Sequence, residues 1–360
     1  MRSPMFPSSP QPYTTMMIIP TGIGAKIGGY AGDGLPTARL VAQVCDRLIT
    51  HPNVLNGAQL FWHMPNALYV EGYGLDQFAA GNWGLKPVRQ NRVGMILDQG
   101  IEEELRVRHI QAADACRATL GLSVTDYVVT DAPLNVTFKL SESGASWGTI
   151  ENVGSLLRAA ERLIQEAKVE AIAVVARFPD DEDSEMLAQY RQGAGVDALA
   201  GAEAVISHLL VKKFQIPCAH APALAPIPIE PDLSPKAAAE ELGYTFLPCV
   251  LAGLSRAPQF IVKKNPQTLS DQHIWADAVD SLVIPASACG GSAVLSLSRT
   301  KTLIIAVNEN DTALSIFPEI VGIQACRVDS YLEAIGILVA HRAGLDFRSL
   351  STTVPPLREI

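Results

Sequence analysis

Six glycines fall within fourteen residues in Thr21-Gly22-Ile23-Gly24-Ala25-Lys26-Ile27-Gly28-Gly29-Tyr30-Ala31-Gly32-Asp33-Gly34, between an apolar run and a segment opened by Pro36. Glycines at this density let a loop turn its N–H groups toward an anion at the carboxyl end of a strand, and Lys26 adds positive charge. The expected ligand-binding residues are Gly22, Gly24, Lys26, Gly28, Gly29 and Asp33. No standard fingerprint is met: GxGxxG would need glycine at Ile27, and a Walker loop from Gly24 would need Lys-Ser/Thr where Tyr30-Ala31 stand. The alternative is a tightly packed connection. A second loop, Ser287-Ala288-Cys289-Gly290-Gly291-Ser292, offers Ser287, Gly290, Gly291 and Ser292 as backbone ligands for a phosphate or carboxylate. With no base adjacent in sequence, Cys289 reads as a buried thiol ahead of a nucleophile.

Acid–base candidates cluster where apolar runs stop, the edge at which parallel α/β sheets collect ligands. Asp131 and Asn135 follow Tyr127–Thr130, Arg177 follows Ala171–Ala176, and Asn308, Glu309 and Asp311 follow Leu303–Val307. Ordinary turns and helix caps explain these residues equally. Asn53 after His51-Pro52, and His220 in Pro217-Cys218-Ala219-His220-Ala221-Pro222, sit in proline-fixed loops; each histidine is either a site residue or a structural one. Gly144-Ala145-Ser146-Trp147-Gly148 fits GxSxG, but Ser141, Glu142 and Ser143 separate it from the strand end that a nucleophile elbow requires. The histidine spacings fit no metal motif. A magnesium site is an alternative for the acidic run Asp180–Glu185, which otherwise reads as a solvated helix start.

These groups need a frame. Short β-branched runs at Met17–Ile19, Arg92–Leu97, Tyr127–Thr130, Ala171–Ala176, Leu282–Ile284 and Leu303–Val307 alternate with amphipathic helical patterns. The helical patterns cover Pro36–Thr50, Glu102–Leu120, Thr149–Ala167, Asp183–Gln192, Gly201–Lys213, Pro235–Leu242 and Val328–Ala343. The alternation predicts an α/β protein with a mainly parallel sheet flanked by helices, in one or two lobes. Residues 1–15, with four prolines, read as a disordered tail, and residues 16–220 as an α/β lobe with the glycine-rich loop. Five prolines in 221–235 mark a linker or an extended loop, and 236–360 form a second lobe or continue the first. Residues 52–90, rich in Gly, Asn and aromatics, form an irregular stretch long enough to cover a site.

In composition the 360 residues are 48% hydrophobic and 18% charged, with net charge −9. More than half of that net charge sits in Asp180–Glu185, so the rest is nearly neutral. This excludes bulk disorder and a basic nucleic-acid face, and it fits a sheet buried on both faces with a homo-oligomeric contact. Six scattered cysteines read as reduced thiols, and no run reaches a membrane-spanning length.

The stretches IIPTGIGAKIGGYAGDG, LITHPNVLNGA, TDAPLNV, SGASWGTIENV, GAGVDALAGAEAVISHLL and GYTFLPCVLAGLSRAP resemble a family of cyanobacteria and plastid-bearing organisms known only as a domain of unknown function. The resemblance runs from Met17 onward and implies a cytoplasmic or stromal location, but no reaction. Gly195–Ala204, which contains Glu203, followed by Ile216-Pro217 is also faintly similar to the nicotinate-nucleotide phosphoribosyltransferases of cobamide assembly. The expectation is an enzyme of transferase or hydrolase type acting on a small anionic molecule held by the two glycine loops, with Asp131, Glu309, His220 and Glu203 as catalytic candidates. The alternatives are a non-catalytic sensor or assembly factor and a phosphoribosyltransferase-like enzyme; the cofactor is unknown.

Overall fold

Period-two alternation of apolar side chains builds a sheet buried on both faces. Met16 and Ile18 enter one core and Met17 and Ile19 the other, as do Leu282 and Ile284 against Val283. The computed structural model describes residues 11–56, 60, 62–179, 185–225, 229–241, 246–262, 272–354 and 356–357. Strands β1 (Thr14–Met17), β2 (Arg47–Thr50), β3 (Ala67–Tyr69), β12 (Ser281–Pro285), β13 (Leu303–Val307) and β14 (Cys326–Val328) form a parallel sheet in the order β14-β13-β12-β1-β2-β3. Counted within this sheet alone, that order is 3-2-1-4-5-6, whose direction reverses between β1 and β12.

The chain between β3 and β12 supplies a second parallel sheet in the order β10-β9-β5-β6: β5 (Val93–Leu97), β6 (Val124–Val129), β9 (Ala171–Arg177) and β10 (Cys218–Ala223). Two antiparallel pairs complete the strands: β4 (Gly84–Lys86) with β11 (Gln259–Ile261), and β7 (Val136–Leu140) with β8 (Ser146–Ile150). One apolar cluster takes Met17, Leu48 and Val283 from the first sheet and Met95, Leu97 and Val175 from the second.

The helices used below are α1 (Leu35–Val44), the single turn α2 (Pro52–Leu55), α3 (Gly72–Ala79), α4 (Glu103–Leu120), α5 (Val153–Arg162), α6 (Glu185–Arg191), α7 (Ala200–Phe214), α8 (Pro235–Glu241), α9 (Leu247–Ser255), α10 (Ser292–Leu297) and α11 (Tyr331–Arg342). Every residue of α9 other than Pro248 is buried, as a helix apolar on all sides requires.

The α/β expectation holds, with local differences. Thr14 and Thr15 are fully buried in β1, so the fold begins before Met16; residues 1–10 lie outside the described residues. The helix expected over Pro36–Thr50 ends at Val44, because Leu48 and Ile49 alternate between the two cores as β2. The Pro-rich stretch 221–235 begins inside β10, and residues 226–228 of it lie outside the described residues. The six-stranded sheet draws strands from both ends of the chain, and Pro222 lies in β10, an edge strand that needs no inward N–H from it. Among the described residues no helix is long and apolar enough to cross a membrane.

Candidate functional site

A pocket of about 100 Å³, open in part to solvent, forms where the carboxyl edge of β1, β2 and β3 meets α7 and β10. Thr21 follows β1, His51, Pro52, Asn53 and Asn56 follow β2, and Glu71 follows β3. Glu203, Ala204, Ser207 and His208 come from α7, His220, Ala221 and Pro222 from β10, Asp197 from the loop before α7 and Glu240 from α8.

The start of α7 is fixed by side chains outside it. Asp197 Oδ1 accepts the Leu199 N–H at 2.9 Å, and Ser146 Oγ accepts the Gly201 N–H at 2.9 Å. A Cβ on Gly201 would lie 2.4 Å from Trp147 Cα, so glycine is required for β8 to lie against this helix. The GxSxG match is therefore structural: Ser146 caps α7 and also donates its N–H to the Gly22 carbonyl at 2.8 Å.

Two faces of α7 present different chemistry to the pocket. Glu203 and Ser207 lie one turn apart and both meet His220 on β10: Ser207 Oγ hydrogen-bonds Nδ1, and Glu203 Oε2 lies 3.4 Å from Nε2. The hydroxyl of Ser207 also donates to the Glu203 carbonyl at 3.4 Å. The direction at Nδ1 follows the ring's tautomer: with Ser207 donating to Nδ1, Nε2–H points at the Glu203 carboxylate, so each donor meets an acceptor. His208, one residue on, turns to Glu71, with Nδ1 2.5 Å from Oε1. The Glu71 Oε2 meanwhile accepts the Tyr73 and Gly74 N–H groups and caps α3. Burial disfavours charge on His208, but the adjacent Glu71 carboxylate outweighs it, and the pKa is raised.

The far end of the pocket is acidic. Burial, reinforced by Glu240 and Glu203, raises the Asp197 pKa well above the usual carboxylate range. Burial likewise pushes Glu240 to about 7 against the hydrogen bond from the Tyr190 hydroxyl, with Glu203 and Asp33 adding repulsion. Tyr190 on α6 stacks on Tyr30 with ring centroids 4.4 Å apart. His51 stands apart from this chemistry: its Nε2 accepts the Ile19 N–H at 3.1 Å, and burial lowers its pKa to about 4, so it stays neutral and ties β1 to β2.

Of the residues expected from sequence, Asn53, Glu203 and His220 line this pocket together. The others do not join them. Asp131 pairs with Arg158 at 2.6 and 2.8 Å and accepts from Ser155, partners that hold its pKa near 2. Arg177 pairs with Glu102 at 2.9 Å, and Asn135 donates to Glu151. Asn308 accepts from Arg327, and Glu309 accepts the Tyr331 N–H at the start of α11. Ser287 bonds Thr312, and burial pushes the Cys289 thiol to about 11.

The two glycine loops flank the reversal between β1 and β12, but the chain itself uses their groups. Asp33 Oδ1 takes the N–H groups of Gly28 and Tyr30, Asn310 takes that of Ile27, and the Asp311 carbonyl takes that of Lys26. A Cβ on Gly290 would meet Ile316 at 2.9 Å. Lys26 Nζ lies 3.5 Å from Asp311. The role of Gly28 is a backbone one, with φ +83° and Ile19 packed against its Cα. Gly22 and Gly24 also have positive φ, and Gly29, Gly291 and Ser292 do not line the pocket.

Glu71, Glu240 and Ser207 are absent from the sequence-based candidates. Glu71 alone leaves a signal there, an acid directly after the apolar end of a strand. Ser207 is one turn from Glu203, and Glu240 becomes relevant only when α8 folds back over Tyr190. Among the described residues no group of three or more His, Cys, Asp or Glu side chains is arranged to hold a metal ion. Most of the acidic run considered for magnesium lies outside the described residues.

A family model described as "Protein of unknown function (DUF3326)" matches residues 14–351. A relative from Synechococcus sp., named an uncharacterized lipoprotein, is 56% identical over 338 residues, covering 94% of this chain and 93% of its own length. No solved structure matches the chain. The expected cytoplasmic or stromal location is corrected by this comparison, because a relative matching over nearly the whole chain bears the name of a lipoprotein.

Proposed function

The chain belongs to the DUF3326 family, and from its geometry we propose that the pocket between the two sheets is an acid–base catalytic centre for a small molecule, of transferase or hydrolase type. The observation that carries the reading is His220, engaged by Ser207 on one ring nitrogen and facing Glu203 with the other, on the wall of a cleft. In this reading Glu203 takes a proton from the bound molecule and the His220 Nε2–H, which faces the same carboxylate, returns one to it. Ser207, 2% exposed, is a positioning residue that fixes the tautomer. The His208–Glu71 pair stands on the neighbouring side of α7, where the Glu71 carboxylate favours the protonated imidazole as a proton donor.

The lining bears on the ligand class. It contains no lysine or arginine among the described residues, and the glycine-loop N–H groups named above are taken by the chain's own acceptors. We therefore favour a neutral or cationic molecule over the anion expected from the glycine loops.

The test is turnover. Purified protein is incubated with pooled small metabolites and depletion is followed by mass spectrometry, alongside Glu203→Gln, His220→Asn, and the remote Asp131→Asn. Loss of a positioned acid–base group costs roughly 10²- to 10⁴-fold. The reading requires both pocket variants to lose turnover on that scale while Asp131→Asn retains it. Turnover at the wild-type rate in both pocket variants overturns it, and so does binding without turnover in the wild type.

A further inference from the structure

Three carboxylates, Asp197, Glu203 and Glu240, line the pocket, and Asp33, outside its lining, adds repulsion on Glu240. Like charges at this density are costly without a compensating cation. The basic side chain nearby, Lys236 on α8 itself, donates to the Lys26 carbonyl and pairs with Asp33 at 3.9 Å, and it does not line the pocket with Asp197 and Glu240. An independent observation points the same way. The Tyr30 side chain is 3% exposed, its hydroxyl has no hydrogen-bond partner among the described residues, and its ring stacks on Tyr190, whose hydroxyl bonds Glu240. A buried hydroxyl without a partner costs about 1–3 kcal/mol, so its persistence beside an acidic cluster marks an unfilled hydrogen-bonding position there. The Tyr190 hydroxyl donates to Glu240, which leaves its oxygen free to accept.

A metal ion does not suit these groups, since no three ligating side chains among the described residues converge on one point. A nitrogen cation does. An ammonium group has three N–H donors and needs acceptors at hydrogen-bond reach without the tight convergence of a coordination shell. Resting on the acid–base reading above, we infer that the Asp197–Glu240 end of the pocket seats the ammonium group of a small amine, so that the substrate is an amine whose reacting atom lies toward Glu203 and His220.

Glu240 accepts from the Tyr190 hydroxyl of α6 and the Ala31 N–H of the glycine loop, the charged and titratable groups that act on it are Asp33, Tyr30, Asp197 and Glu203, and Lys236 on its own helix pairs with Asp33. Both Asp197 and Glu240 hold protons more readily than ordinary carboxyls. Seating an ammonium there displaces protons into solution, and amine affinity rises with pH from about 6 through 7, where Glu240 titrates.

The experiment uses the full chain and n-butylamine as probe, with n-butanol and butyrate as shape-matched controls. Binding is read by thermal shift and by calorimetry in two buffers of different ionisation enthalpy. The expected result is saturable stabilisation by butylamine alone, with net proton release. Removing one charged acceptor should weaken binding by roughly tenfold or more in Asp197→Asn and in Glu240→Gln. Asp197→Asn keeps an oxygen for the Leu199 N–H, and Tyr30→Phe, which deletes only the unpartnered hydroxyl, provides a second variant that preserves packing. His220→Asn keeps butylamine binding, so the loss of turnover that tests the catalytic reading is separate from this result. Equal stabilisation by butyrate or butanol, unchanged affinity in all three acidic-end variants, or no binding of butylamine overturns the inference even if His220 proves catalytic.

Discussion

Replacing Glu240 by glutamine should stabilise the free protein, and more so as the pH rises. Burial lifts its carboxyl from 4.5 to about 7, and every tenfold gain in proton affinity on folding corresponds to about 1.4 kcal/mol. A carboxyl whose folded pKa lies above the unfolded one leaves the folded state holding more protons between those two values. Stability therefore falls as pH rises from 4.5 to about 7, with the whole cost, about 3 kcal/mol, present above 7. Glutamine keeps an oxygen to accept from the Ala31 N–H and the Tyr190 hydroxyl and carries no charge to desolvate. For a chain of this length roughly 0.8 kcal/mol corresponds to one degree of melting temperature, so the gain at pH 8 is about 4 °C. Thermal melts of both proteins from pH 5 to pH 8.5 in ligand-free buffer give a difference curve in which groups remote from Glu240 cancel, while relief of its repulsion on Asp197 adds with the same sign. It should start near zero and climb through neutral pH. A flat difference, or a Glu240→Gln protein less stable at pH 8, would refute the claim that this carboxylate is buried against its own charge.

Other perturbations test other parts of the structure. His51 has the opposite sign: its folded pKa of about 4 lies below the usual 6.5, so it costs nothing above 6.5 and destabilises as pH falls through that window, and His51→Gln should flatten the acid limb of the melting profile. Asp98, 1% exposed, accepts the N–H groups of Gly100, Leu134 and Arg177; Asp98→Ala leaves these donors unpaired and should cost several kcal/mol by urea titration, on the order of 1–3 for each, while Asp98→Asn costs less. Gly201→Val places a branched side chain into the backbone of Trp147 and should cost about 3 kcal/mol or more and abolish pocket ligand binding, whereas Gly291→Ala, with nothing within 4 Å of its Cβ, should be neutral in the same melts.

Much of the fold is legible in the sequence because parallel strands buried on both faces must be continuous apolar runs. Leu303–Val307 reads to the residue, and Val93–Leu97 and Ala171–Arg177 to within one. Strand β2 disappears into a helical pattern, since Arg47–Thr50 is too short to display a period of its own. Strands β7 and β8 leave no clear run because a two-stranded pair beside α7 carries polar residues on its open side. The site is legible only in pieces. His220, Glu203 and Asn53 stand out singly, and nothing in their spacing of seventeen residues and more announces a common pocket.

By itself the sequence determined what depends on neighbours along the chain: the α/β alternation, the family, the helix that carries Glu203 and the glycine-rich turns after β1. Only the tertiary structure decided which polar groups meet. The edge of one sheet had to fold against α7 and β10 of the other before Glu71 could find His208, or Ser207 and Glu203 could hold His220 between them. The same closure committed the glycine-loop N–H groups to Asp33 and Asn310 and moved the ionisable chemistry to an acidic pocket. Hydrogen bonds and burial are set by distances between segments far apart in sequence, and those distances exist only in the folded chain.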